Sequence, residues 1–312
     1  MKPALLAAPE PALVPPIEAA AAVAEAHTWF SDVCELVKAR LTSLVLVTTL
    51  AGFYLGWQGP MDYLRLFHAL FGTALVASGA AALNELIERD ADALMRRTQD
   101  RPLPSGRMQP NTALLIGFGL AACGLAYLYV LVNPLSSLLA AVTLATYLFA
   151  YTPLKRITTL NTLVGGIPGA LPPVIGWAAA RGSVDMNAWS LFAILFFWQM
   201  PHFLAIAWMY RDDYAGAGFV MLPHLDEDGA ATARQAVNYS CALLAVSLIP
   251  SLLGLTTRFA FLGAFALGAW MIYRAARMQA ERSRPRARAL FFASIIYLPL
   301  LLGLLAWCKQ PA

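Results

Sequence analysis

The segment "NELIERDADALMRRTQDRPLPSG", residues 84–106, packs acidic and basic groups against the end of a long apolar run. If the helix of that run continues at about 100° per residue, Asn84, Glu85, Glu88 and Asp92 share about a quarter of its circumference. Arg96 lies close to the same stripe, and Asp90 points elsewhere. One face then carries an amide and three carboxylates over about two turns. Such hard oxygen donors suit Mg²⁺, which usually takes one or two carboxylates together with substrate phosphate oxygens. Arg96, Arg97 and Arg101 suit the phosphate itself, because guanidinium pairs with it bidentately. The chemistry on offer is the binding of a metal-complexed diphosphate. The competing reading is a solvated, mixed-charge loop that ends a helix in salt bridges.

Two further polar clusters weigh against that competitor. "MYRDDYAGAGFVMLPHLDED", residues 209–228, sets Asp212 and Asp213 beside Arg211, and "YTPLKR", residues 151–156, adds Tyr151, Lys155 and Arg156.

The elements that must position these groups are membrane helices. Of 312 residues, 59% are hydrophobic and only 13% charged. A hydrocarbon core of about 30 Å needs about 20 helical residues to cross it. Apolar runs of that order occur at 41–57, 66–83, 112–131, 135–152, 162–180, 189–208, 237–256, 259–274 and 290–308. A β-barrel would instead show alternating segments of about ten residues, and none is present. The expected fold is all-α, a polytopic membrane protein of about nine spans.

Loops on the cytoplasmic side carry excess Lys and Arg. With nine spans, the N-terminal side holds Lys2, Lys38, Arg40, Arg89, Arg96, Arg97, Arg101, Arg107, Lys155, Arg156, Arg211, Arg234, Arg274, Arg277, Arg282, Arg284, Arg286 and Arg288. The other side holds only Arg65, Arg181, Arg258 and Lys309. This puts the N-terminus and all three polar clusters in the cytoplasm and the C-terminus outside. The basic stretch at 277–288 reads as a topology determinant resting on anionic lipid.

Residues 1–30, rich in Ala and Pro, read as a disordered cytoplasmic tail ahead of a single integral domain at 31–312. The tail matches neither a secretory signal nor an Arg-rich transit peptide, which favours a bacterial plasma membrane. Cys34, Cys123, Cys241 and Cys308 are scattered without CxxC spacing, so neither a zinc site nor a disulfide framework is expected. Nothing points to nucleic acid.

Asn84 to Asp92 resembles the first Asp-rich motif of the UbiA-type intramembrane prenyltransferases. "RTQDRPLPSG", "YTPLKR", "GGIPGALPPVIGW" and "FWQMPHFLAIAWMYRDDYAGAGFVMLP" are similar to the branch that farnesylates protoheme IX, the heme O synthases. The resemblance covers about residues 30–308. This chain departs from the broad motif at Glu85 and Glu88, which stand where Asp is usual. It departs again in the second motif, reduced to adjacent Asp212 and Asp213. The resemblance implies helices around a central cavity open to the cytoplasm and lipid. It implies transfer of farnesyl from farnesyl diphosphate to the 2-vinyl group of heme b with addition of water, Mg²⁺ as cofactor, and a synthase of heme A as a candidate partner. Carried over residue by residue, Asn84, Glu88, Asp92, Asp212 and Asp213 become metal ligands, with Asn84, Glu88, Asp92 and Asp213 catalytic. Arg96, Arg97, Arg101, Tyr151, Lys155, Arg156 and His202 become substrate-binding.

His202 lies within the sixth apolar run, where an imidazole is costly enough to suggest function or a helix partner. Its readings are an interhelical hydrogen bond, a contact with heme propionate or iron, or a polar group of the second motif. Gly165, Gly166, Pro168, Gly169, Pro172 and Pro173 should break the fifth run, either for close packing or to curve a wall around substrate. Two other functions compete: prenyl transfer to a quinone-precursor ring such as 4-hydroxybenzoate, and membrane transport. The "WQMPHF" block opposes the first, and the lack of a clear internal repeat opposes the second.

Overall fold

The computed structural model describes residues 28–311. Nearly all of the expected tail at 1–30 thus lies outside the described residues. Helix α1 (Trp29–Leu36) is capped by Thr28, whose Oγ1 accepts from the Ser31 N–H at 3.2 Å. Then come α2 (Ala39–Gly56), α3 (Tyr63–Asp92), α4 (Pro110–Leu131) and α5 (Pro134–Ala145). A π-helical segment (Thr146–Tyr151) joins α5 to the short α6 (Thr152–Leu154). The chain continues through α7 (Asn161–Ala170), α8 (Pro172–Arg181), α9 (Met186–Met209) and two short helices, α10 (Arg211–Gly216) and α11 (Leu222–Leu225). It closes with α12 (Ala230–Leu252), α13 (Arg258–Ala280) and α14 (Arg284–Trp307).

Among the described residues, nine helical stretches are long and apolar enough to cross a membrane, α5–α6 and α7–α8 each counting as one. Each coincides with an expected apolar run. The largest shifts are at α3, which runs on past its apolar run to Asp92, and at α12, which starts early at Ala230. The only β pairing among the described residues is the isolated bridge Thr256–Lys309.

Local chemistry sets the helix ends. Asp62, Asn133 and Asp185 each accept backbone N–H bonds at the starts of α3, α5 and α9, satisfying donors the helix leaves unpaired. Proline opens α4, α5, α8 and α14, where its missing N–H costs nothing. The fifth span breaks at Leu171, ahead of Pro172 and Pro173, as the sequence foreshadows.

Between helices in lipid, association rests on close packing of small residues rather than on a hydrophobic driving force. At the α2–α8 contact, a Cβ on Gly176 would meet the Thr49 carbonyl and one on Gly52 the Pro173 carbonyl. Backbone touches backbone there. Around it, Trp177, Leu191, Ile194, Leu243, Met271 and Tyr297 form the main apolar core.

The length of α3 answers why charge sits at its end. Its 30 residues span about 45 Å at 1.5 Å per residue, against a hydrocarbon core of about 30 Å. The last ten or so residues, including Asn84 to Asp92, therefore emerge from the apolar slab under the loops that cover them.

Candidate active site

Those residues enter a cavity of about 120 Å³ lined by Asn84, Glu88 and Asp92 from α3, together with Lys38, Thr98, Arg97 and Arg101. Tyr147, Tyr151 and Lys155 complete one wall, and Met95, Tyr214, Phe219 and Met221 another. Each of the three α3 groups in the cavity meets a cation. The Asn84 Oδ1 accepts from Lys38 Nζ at 2.8 Å. Glu88 meets Lys155 Nζ at 2.6 Å, and Asp92 meets Arg101 Nη1 at 2.6 Å.

Four cations and two carboxylates line the cavity, leaving an excess of two positive charges. An anionic headgroup is what such a chamber attracts.

Secondary structure explains the aim of these groups. In the π-helical segment the wider turn brings Tyr147 and Tyr151 into a stack, with ring centroids 5.6 Å apart. π-Helical insertions of this kind are frequent at functional sites. The Thr152 Oγ1 donates to the Tyr147 carbonyl at 2.8 Å and accepts from Asn84 Nδ2 at 3.1 Å. Asn84 is thereby fixed at both ends of its amide. Gly165 on α7 lets Tyr151 lie flush, since a Cβ there would come within 2.5 Å of the ring.

Lys155 lies 4.5 Å from the Tyr151 ring centre. Burial works against its charge, but the Tyr151 and Glu88 oxygens outweigh that and hold its pKa above the ordinary lysine value. Its backbone carbonyl accepts from the Val220 N–H at 2.7 Å, clasping the 151–156 loop to the 217–221 segment. Arg97 reaches the Tyr214 hydroxyl at 3.3 Å and lies over the rings of Tyr210 and Tyr214.

Lys38 is the site residue that charge counting missed. Its basicity served there only to orient the chain. In the structure it is the one non-glycine residue with positive φ among the described residues, at φ 49° and ψ 52°. Left-handed backbone costs a residue with a Cβ on the order of 1–2 kcal/mol. Fully buried Leu36 on one side and the Asn84 contact on the other hold it there. Burial pushes the Lys38 pKa down to about 8, with Arg101 and Lys155 adding repulsion. The sequence carries no marker for it, because "VKAR" before an apolar run looks like any membrane-flanking basic pair.

Several expected residues are elsewhere. Glu85 is fully buried and leaves the stripe: one carboxylate oxygen accepts from the Leu103 N–H at 3.3 Å, and the other has no partner among the described residues. Asp92 lies within about 20° of Glu85 around the helix and does line the cavity, so it is the covering loop at Leu103 that captures the Glu85 carboxylate. Arg96 and Arg156 are exposed and do not line the cavity. Neither Asp212 nor Asp213 lines it either. The side chain of Asp212 is 77% exposed and lies 3.7 Å from Arg211 and 3.6 Å from Arg284. Arg284, expected to serve topology alone, thus also meets an acid. The second loop contributes rings instead, through Tyr214 and Phe219.

His202 is also outside the cavity. Its ring stacks between Trp198 and Phe291, with centroids at 5.2 and 4.9 Å, and its Nδ1 lies 2.8 Å from Ser294 Oγ on α14.

Known proteins share this fold. The UbiA prenyltransferase family profile matches residues 45–296. A protoheme IX farnesyltransferase of Solibacter usitatus is 50% identical over 283 residues, covering 88% of this chain and 97% of that one. Among solved structures, one described for digeranylgeranylglyceryl phosphate synthase superposes with a TM-score of 0.76 at 16% identity, covering 89% of this chain and 98% of that one. A UbiA homologue from Archaeoglobus fulgidus bound to GPP and Mg²⁺ gives 0.64 at 14% identity, covering 88% and 99%. With the profile spanning most of its length and a half-identical relative matched almost end to end, the chain belongs to the UbiA prenyltransferase family.

Proposed function

We propose that this chain transfers the farnesyl group of farnesyl diphosphate to the 2-vinyl group of heme b, with addition of water and release of diphosphate, giving heme O. The carrying observation is the cavity at the end of α3, where Asn84, Glu88 and Asp92 share one chamber with Lys38, Arg97, Arg101 and Lys155. The half-identical heme farnesyltransferase supports the acceptor.

Mg²⁺ fits this donor set. Among the described residues no cluster of three His, Cys, Asp or Glu could cage an ion alone. Two carboxylates and an amide on one helix face are instead the partial shell that Mg²⁺ completes with substrate phosphate oxygens. Asn84, Glu88 and Asp92 would hold it. When bound, it would neutralise charge building on the leaving diphosphate. Asp212 and Asp213 gain no support as ligands from their positions.

The protein's own groups do the rest. Arg101, Lys155 and Lys38 lie within the same chamber and would grip the diphosphate, with Arg97 reaching it from the loop. These preorganised cations stabilise the charge that develops as the allylic carbon–oxygen bond breaks. The faces of Tyr147 and Tyr151 line the same chamber, where aromatic rings favour an adjacent cation. The cavity suits a headgroup, so the fifteen-carbon chain extends from it along the apolar helices.

The charge asymmetry supports an N-terminus in the cytoplasm and a C-terminus outside, in a bacterial plasma membrane. Residues 1–30 are then a cytoplasmic tail on a catalytic domain at 31–312. A synthase of heme A is the candidate partner that takes the product.

The test is a mass spectrum of hemes from cells with and without this protein. Farnesylated heme should vanish on deletion. Membranes offered farnesyl diphosphate with 4-hydroxybenzoate should yield no prenylated ring, and the reverse pair of results would overturn the proposal.

A further inference from the structure

The hydrogen bonds around His202 decide which of its nitrogens carries a proton. The Ser294 Oγ lies 2.6 Å from the Phe291 carbonyl, which can only accept, so the single hydroxyl hydrogen goes there. The oxygen's remaining capacity is as an acceptor, and the His202 Nδ1 at 2.8 Å must donate to it. The neutral imidazole then carries its lone pair on Nε2. No protein group among the described residues engages that atom. Both ring faces are covered, by Trp198 and Phe291. The half-buried ring can therefore act only along its edge.

A neutral ring with a bare Nε2 has no proton to give a carboxylate, which favours iron over heme propionate as its contact. What it can do is bind a metal. Histidines that ligate metals almost always donate their other N–H to an oxygen, which fixes the tautomer and the ring plane. Here Ser294 supplies that oxygen, and the Trp198 Nε1 donation to the Ser294 carbonyl at 2.7 Å braces the same point of α14. On the helix, eight residues separate His202 from Tyr210, about 12 Å at 1.5 Å per residue. Tyr210 carries Arg97 at the edge of the diphosphate cavity. That spacing is comparable to the reach of a porphyrin macrocycle.

We propose that His202 Nε2 is an axial ligand to the iron of the substrate heme, presented by the Trp198–Phe291 sandwich and oriented by Ser294. This rests on the heme-farnesylating reading above and deepens it. Iron ligation would anchor the acceptor in the bilayer with one rim turned toward the diphosphate chamber.

The experiment uses the full-length protein in lipid nanodiscs, titrated with ferric mesoheme, whose vinyl groups are replaced by ethyl so that no turnover intervenes. Wild type should give the optical and electron-paramagnetic-resonance signature of histidine-ligated heme. His202→Gly should lose that signature and regain it on addition of free imidazole, which enters the slot between the two rings. Ser294→Ala should keep the signature but bind mesoheme roughly tenfold more weakly, as loss of an orienting partner does. An unchanged spectrum in His202→Gly, or a lost one that imidazole fails to restore, overturns the proposal. Product analysis separates the two levels: wild type that makes farnesylated heme while His202→Gly keeps the wild-type spectrum refutes only the ligand. Wild type that makes no farnesylated heme refutes the underlying function.

Discussion

Glu88 and Asp92 at the end of α3 turn inward while Asp212 and Asp228 after α9 turn outward, although both segments read as Asp-rich loops on one membrane face. Glu88 and Asp92 are 8% and 1% exposed, each held by a cation at 2.6 Å. The side chains of Asp212 and Asp228 are 77% and 69% exposed, with arginines at 3.0 Å or more. Acid content alone does not make a site. Buried charges survive only when paired, and breaking one such pair costs about 3–5 kcal/mol, whereas an exposed pair contributes about 0–1 kcal/mol. The first cluster stores an arrangement that a ligand can exchange into, and the second mainly decorates a surface.

Breaking the inward set should have the largest effect. Asp92→Asn and Glu88→Gln keep shape while removing charge, and each should lower farnesyl transfer on the order of 100-fold or more. Asp212→Asn should stay within about twofold, the scale of an exposed pair. Turnover in nanodiscs, with melting temperature as a folding control, checks both. Comparable losses at residues 92 and 212 would erase the contrast between the segments.

Metal binding should show the exchange directly. Because Asn84, Glu88 and Asp92 are engaged by lysines and an arginine, divalent metal alone should bind weakly. Inorganic diphosphate should tighten Mn²⁺ binding about 5- to 150-fold, the usual range for coupled sites. Titration followed by Mn²⁺ paramagnetic resonance measures the ratio. A ratio of one would mean that the cations are bystanders.

Lys155→Met should raise the Michaelis constant for farnesyl diphosphate about tenfold, the worth of a charged hydrogen bond. Arg156→Met, one residue on but exposed, should leave it unchanged. Since Lys155→Met strands Glu88, Lys155→Arg is the companion that keeps the charge. Failure of Lys155→Arg to recover any affinity would assign Lys155 a structural role.

The smallest effect sharpens what the second loop contributes. Tyr214→Phe removes the hydroxyl that Arg97 reaches and should cost about two- to tenfold in the same constant. Asp213→Asn should do less. If Asp213→Asn instead matches Asp92→Asn, and the double variant is no worse than either, the two act as a unit and the second loop supplies a ligand after all.

Apolar length and charge asymmetry made the nine spans legible, because every residue in hydrocarbon reports its solvent. Helical periodicity likewise put Asn84, Glu88 and Asp92 on one face, since spacing along a single helix is local. Glu85 shows the limit of that reasoning. A stripe drawn a quarter-turn wide included it, but whether its carboxylate meets the cavity or the Leu103 amide depends on a loop eighteen residues away.

Single-sequence reasoning thus determined the membrane class, the helical segments and the inward-facing carboxylate stripe, all properties of neighbouring residues in a uniform solvent. Tertiary structure decided which cations answer those carboxylates. Lys38, Arg101 and Lys155 come from three different connections, and nothing local distinguishes them from exposed Arg96 or Arg156. The same holds for His202, whose tautomer is set by a serine ninety-two residues on. A charge or a proton is placed by whatever packs against it, and the chain learns what that is only on folding.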